Sequence, residues 1–135
     1  MILFVDDDRR RMDSYVRELE LSGHDVHFES DVDDALSFFI REGHKVKLLI
    51  LDIMMPPGRY FSNESTENGL ITGTAFYSEI SRYQSNVSTV IFTNVSEENL
   101  DKEVTTKDSV VFYQKDSLLP FELEKKVREL LWVSK

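Results

Sequence analysis

The sequence predicts an α/β fold, a single (βα)5 domain over residues 1–135 with five strands in one doubly wound parallel sheet. Four short apolar runs, at residues 2–5, 46–51, 89–93 and 110–113, are rich in β-branched and aromatic side chains and too short for helices. Their hydrophobicity is continuous rather than alternating, the pattern of strands covered on both faces. Between them lie stretches whose apolar residues recur at helical spacing, so strand and helix alternate five times. Such alternation requires right-handed crossovers and a sheet sandwiched between helices.

The first strand, Ile2-Leu3-Phe4-Val5, runs straight into Asp6. Met12, Tyr15, Val16 and Leu19 then fall at i, i+3, i+4 and i+7, and Gly23 follows as a helix stop. Residues 24–29 alternate, with Val26 and Phe28 on one side, and read as a strand nearer the sheet edge. Ser30 is the expected cap of the second helix, with Asp33 as the partner acid of a capping box. That helix carries Val32, Ala35, Leu36 and Phe39 on one stripe and closes at Gly43. A third helix is expected from about Leu70 to Tyr83, holding Phe76, Tyr77 and Ile80. Ser96 is expected to cap a short, weakly apolar helix with Leu100 and Val104. Pro120 suits the first turn of the last helix, whose stripe is Leu123, Val127, Leu130 and Leu131.

Composition narrows the function. Hydrophobic residues make up 41% of the 135 and charged residues 30%, the balance of a globular domain rather than a disordered chain. Acidic side chains outnumber basic ones 25 to 16, a net charge of −9, which argues against direct nucleic-acid binding and against docking on anionic lipid. With no cysteine, a disulfide framework, a thiolate zinc site and a cysteine nucleophile are excluded. No apolar run approaches the roughly 18–20 residues of a membrane span. Met1–Val5 lacks the basic leader and long apolar stretch of a secretory signal, so the expected location is the cytoplasm.

In open parallel sheets, ligands sit at the carboxyl ends of the strands, and there the sequence concentrates its polar chemistry. The first strand ends in Asp6-Asp7-Asp8, the third in Asp52, the fourth in Thr93-Asn94, and the fifth runs into Gln114-Lys115-Asp116. If these strands are neighbours, several carboxylates, a hydroxyl and an ammonium converge on one rim. Clustered carboxylates do not all stay ionised at ordinary pKa unless a cation joins them. Oxygen-only ligands favour a hard ion, and Mg²⁺ takes one or two carboxylates with waters and then recruits phosphate oxygens. A lysine and a hydroxyl opposite would complete a cage for a phosphoryl group, whose transfer requires mainly positioning and charge neutralisation.

From about Met1 to Val133 the chain resembles the receiver domain of two-component response regulators. The resemblance is carried by Ile-Leu-Phe-Val-Asp6-Asp7, Leu-Leu-Ile-Leu-Asp52-Ile-Met-Met55-Pro56, Val-Ile-Phe-Thr93 and Phe112-Tyr-Gln-Lys115. Asp52 follows Asp7 by 45 positions and Lys115 follows Thr93 by 22. The resemblance implies a flavodoxin-like strand order 2-1-3-4-5. It also implies that Asp52 accepts a phosphoryl group from a histidine kinase or phosphotransfer protein. Asp6, Asp7, Asp52 and the Met54 backbone carbonyl would hold Mg²⁺, Asp6 partly through water. Thr93 and Lys115 would bind phosphoryl oxygens, and Thr93 with Phe112 would form the switch, Tyr113 being a substitute for Phe112. The domain would catalyse its own phosphorylation and slow dephosphorylation without being a turnover enzyme. Its output would be a downstream protein target or an output domain beyond this sequence.

Three departures from the family stand out. Asp116 replaces the proline that usually follows the lysine, so a trans bond is expected there, and Asp116 is placed to compete for Lys115. Asn94 is larger than the usual residue after the threonine. The segment 57–69 is about nine residues longer than the family's loop. Its Ser, Asn and Glu content reads as a solvated loop, and the sharper alternative is a lid or partner-contact element with Arg59, Tyr60 and Phe61 as contacts. Asp8 is assigned to the acidic rim or the first helix's N-terminus, and Phe38, Phe39 and Trp132 to packing. The three histidines lack ligand spacing, and the Arg9–Arg11 run is a surface feature, facing the kinase if anything. Two other functions fit the motifs: a haloacid-dehalogenase-like phosphatase using Asp6 and Asp8, and a receiver-like binding module that is never phosphorylated.

Overall fold

A computed structural model describes residues 1–133 of the chain. Its sheet is parallel throughout, in the order β2-β1-β3-β4-β5, built from β1 (Ile2–Val5), β2 (Val26–Glu29), β3 (Leu48–Leu51), β4 (Thr89–Thr93) and β5 (Val110–Gln114). The helices are α1 (Arg9–Leu21), α2 (Val32–Glu42), α3 (Thr72–Ile80), α4 (Lys102–Thr105) and α5 (Pro120–Val133). The order 2-1-3-4-5 expected from the resemblance is thus observed. β1 and β3 are buried along their whole length, whereas every residue of β2 is half-buried, as its alternating pattern and edge position require.

The two faces of the sheet carry separate cores because successive strand residues point to opposite sides. Ile2, Phe4, Leu48, Ile50, Val90 and Phe92 pack under α1 and α5, against Met12, Val16, Leu19, Leu123 and Val127. Leu3, Val5, Leu49, Leu51 and Ile91 pack under α2, α3 and α4, against Leu36, Phe39, Phe76, Ile80 and Val104. Phe38 and Phe39 are core residues as expected, whereas Trp132 is 75% exposed and lies outside the two clusters of buried residues.

Local details correct several sequence expectations. Asp31, not Ser30, caps α2: its backbone is extended and its carboxylate accepts the Asp34 N–H at 3.0 Å. α3 begins at Thr72 rather than Leu70, because Gly69 stands at φ +94° and the chain is still turning at Leu70. The fourth helix is shorter than its pattern suggested. Ser96 precedes a 3₁₀ turn, Glu97–Asn99, and makes no capping bond; Leu100 is extended and breaks the run, and Asp101 caps α4 by accepting the Glu103 N–H. β2 starts two residues later than its alternation implied, at Val26. Every peptide bond among the described residues is trans, the one before Asp116 included.

Candidate functional site

Strand register brings the polar residues together. Val5, Leu51 and Ile91 lie side by side, so Asp6 and Asp52 leave adjacent strands at the same level. Thr93 pairs with Gln114, which puts Lys115 one residue past the sheet on the neighbouring strand. The carboxyl end of the sheet therefore presents two acids, a hydroxyl and an ammonium from four consecutive segments. This is the convergence that the sequence predicted.

Asp52 is held on both carboxylate oxygens. Oδ1 accepts the Thr93 hydroxyl at 2.6 Å and the Ile53 N–H at 2.8 Å, while Oδ2 accepts from Lys115 Nζ at 3.1 Å. Thr93 is 0% exposed, so its hydroxyl is committed to the site rather than to water. Asp6 is also 0% exposed; its Oδ1 accepts the Asp8 N–H at 2.9 Å. Lys115 Nζ also stands 2.8 Å from Asp6 Oδ2, so the ammonium is shared between the two carboxylates. Lys115 spends its charge on Asp6 and Asp52, so the expected competition from exposed Asp116 is not what the ion pairs show.

The electrostatics follow from this crowding. Burial, and then the Asp52 charge, pushes the Asp6 carboxyl up from 3.8 to about 6. The more exposed Asp7 is raised for the same two reasons. Burial alone would lower the Lys115 ammonium, but the Asp6 and Asp52 carboxylates outweigh it and the net shift is upward. Two buried acids with one ammonium between them form a site with spare negative charge. Asp6, Asp7 and Asp52 each offer one oxygen, and the three oxygens lie within 4.8 Å of one another. Three hard oxygen donors, carrying more negative charge than the one ammonium balances, fit a hard divalent cation such as Mg²⁺.

A cavity of about 520 Å³ opens beside this cluster, lined by Asp7, Asp52 and Lys115 together with Met54, Arg11 and Asn94. Met54 is half exposed at its mouth. Asp8, the second acid a phosphatase of the alternative type would use, serves as the α1 cap, its carboxylate accepting the Arg11 N–H at 3.2 Å. Phe112 packs on the α2–α4 face of the sheet and Tyr113 on the α1–α5 face, so the two are not interchangeable as partners of Thr93. His24 and His27 are engaged by Glu124 at 3.0 Å and Glu29 at 2.6 Å.

Sequence reasoning missed two supports of the site. The Ile53 N–H on Asp52 is a backbone group and has no sequence signature. Gly73 does have one, a glycine at the start of a helix: a Cβ there would lie 2.2 Å from the Asp52 carbonyl oxygen, so only glycine lets α3 start against the strand end. The segment 57–69 is also more ordered than its composition implied. Asp33 accepts the Arg59 and Tyr60 N–H groups at 2.6 and 3.0 Å, the Tyr60 hydroxyl donates to Glu79 at 2.9 Å, and Phe61 and Thr66 are buried.

No family model matches the sequence, and no curated protein matches it. Solved structures do match. A response regulator receiver domain protein from Clostridium thermocellum superposes with a TM-score of 0.74 at 18% identity, covering 98% of this chain and 94% of that one. The receiver domain of NtrX from Brucella abortus gives 0.73 at 20% identity, covering 97% and 98%. The response regulator protein TrrA from Thermotoga maritima, in complex with Mg(2+)-BeF, gives 0.70 at 25% identity over 96% of each chain. The fold is that of CheY-like response regulator receiver domains. Among the described residues, no helix is long and apolar enough to cross a membrane.

Proposed function

We propose that the chain is a phosphoacceptor domain of a two-component phosphorelay, taking a phosphoryl group onto Asp52 from a histidine kinase or phosphotransfer protein. The observation that carries this reading is the state of Asp52: a buried carboxylate with a hydroxyl on one oxygen, an ammonium on the other, and two further acids within reach of a shared cation. In the transfer, a carboxylate oxygen of Asp52 forms a bond to phosphorus as the P–N bond of the donor phosphoimidazole breaks. The electron pair of that bond stays with the imidazole, which takes a proton from solvent. Asp6, Asp7, Asp52 and the Met54 carbonyl are the residues that would hold Mg²⁺. When bound, the ion neutralises charge between the carboxylates and the phosphoryl oxygens.

The chain's own groups do the positioning. Lys115 moves no proton; it stays cationic and pairs with a phosphoryl oxygen as it now pairs with Asp52. Thr93 redirects its hydroxyl from Asp52 Oδ1 to a phosphoryl oxygen, and this displacement frees space for Phe112 to turn inward, changing the surface near α4 and β5. Such a switch is a local change of charge that biases a two-state surface. The surface is read by a downstream protein or an output domain, and the protein works in the cytoplasm. The test is intact-mass spectrometry after exposure to acetyl phosphate, with and without Mg²⁺. One phosphoryl adduct is expected with Mg²⁺, absent in Asp52→Asn; an adduct that persists in that variant overturns the assignment.

A further inference from the structure

The segment 57–69 leaves the strand end five residues after Asp52 and returns to the same place. Its outer limb is tied to α2 through Asp33 and to α3 through Tyr60 and Glu79. Gly58, at φ +69°, allows the first tie, since a Cβ there would lie 2.6 Å from the Asp33 carboxylate. Phe61 is 8% exposed and plugs the limb into the core under α2 and α3. The returning limb is fixed by Met55 N–H on the Gly69 carbonyl at 3.0 Å and by the Thr72 hydroxyl on the Met55 carbonyl. Gly69 sits so close to Met55 that a Cβ would meet its carbonyl oxygen at 2.9 Å. The insert is therefore a braced element, and its end, Asn68-Gly69, with Leu70 just beyond it, lines one side of the cavity that contains Asp52.

That wall is chemically unlike the opposite one. Asp7, Asp8 and Arg11 lie on the α1 side, whereas the opposite side presents Met54 and Pro56 from the stem before the insert, Pro57 at its start and Leu70 just after its end, with Asn68 the single polar side chain. An apolar wall offers an approaching water no acceptor for its proton and no hydrogen bond to orient it. We propose that the insert, by bracing its two stems, maintains a water-excluding wall that lengthens the life of the acyl phosphate on Asp52. This inference rests on the reading of Asp52 as phosphoacceptor. The step it slows is hydrolysis: a water oxygen bonds to phosphorus, the P–O bond to Asp52 breaks, and the carboxylate leaves with the bonding pair. The proton of the water passes to solvent, and the products are the free carboxylate and inorganic phosphate.

The test loads the full chain with radiolabelled acetyl phosphate and Mg²⁺, removes the donor, and follows phosphate release per labelled molecule. Two variants are compared with the parent: deletion of residues 59–67, and Leu70→Ser, which alters a side chain 55% exposed and outside both cores. Release should quicken about tenfold on deletion and roughly threefold in Leu70→Ser. Release unchanged in Leu70→Ser, or unchanged on deletion, overturns the inference and leaves the reading of Asp52 standing. A parent chain that takes up no label overturns both.

Discussion

Asp6 holds a negative charge in a place that water does not reach, and its cost is measurable. In the unfolded chain its carboxyl ionises near 3.8, but in the folded protein only near about 6. Between those values the folded state binds the extra proton, so this group's contribution to stability falls as pH rises from about 4 to 6 and is flat above. The full difference is on the order of 3 kcal/mol. Asp6→Asn should therefore raise stability at pH 7 by up to about that amount relative to the parent, and the gain should vanish near pH 4. Urea unfolding of both proteins across that range checks it; a constant difference at all pH values would mean that Asp6 is not the titrating group. Asp6, Asp52, Thr93 and Lys115 were legible in the sequence because each stands at the end of an apolar run, where register alone brings them together. Phe112 and Tyr113 were not separable there. Which face each occupies depends on the strand's phase, and the structure puts Phe112 on the α4 side.

Elements were legible where apolar periodicity was strong and illegible where two local signals competed. Ser30 and Asp31 are both good capping residues, and only the extended backbone at Asp31 decides between them. Asp33, read as a capping acid, instead serves two backbone N–H groups of a segment 26 residues away, a contact that no local pattern encodes. Leu100 and Val104 are both buried as expected, yet Leu100 is extended ahead of the helix and only four residues are helical. The junction of β3 and α3 offers the sharpest test at this scale. Gly73 donates its N–H to the Ile53 carbonyl at 2.8 Å, and a Cβ would overlap the Asp52 backbone. Because the obstacle is backbone rather than a flexible side-chain tip, Gly73→Ala should cost roughly 2 kcal/mol despite alanine's better helix propensity. It should also slow acetyl phosphate labelling, since the shifted strand end carries Asp52. A variant as stable as the parent would show that α3 can start elsewhere at no cost.

At the scale of the whole molecule, the chain carries a net charge of −9 and places three acids at one end of its sheet. Any added salt screens the general repulsion, so a cation that merely screens should act in proportion to ionic strength. A cation held by Asp6, Asp7 and Asp52 acts differently, because it binds the folded chain and stabilises it by mass action, about 2.7 kcal/mol at a hundredfold excess over Kd. For a domain of this size that is a rise of roughly 5–10 °C in Tm. The rise with MgCl2 should exceed that with NaCl of equal ionic strength. It should shrink below about pH 6, where the raised Asp6 carboxyl keeps its proton and the ion must displace it. In Asp6→Asn, already relieved of its buried charge, Mg²⁺ should add little beyond the NaCl effect. Thermal melts at pH 5 and pH 7.5 separate the two mechanisms. Equal shifts from both salts in the parent would leave the three acids as a charged rim and remove the ion from the proposed mechanism.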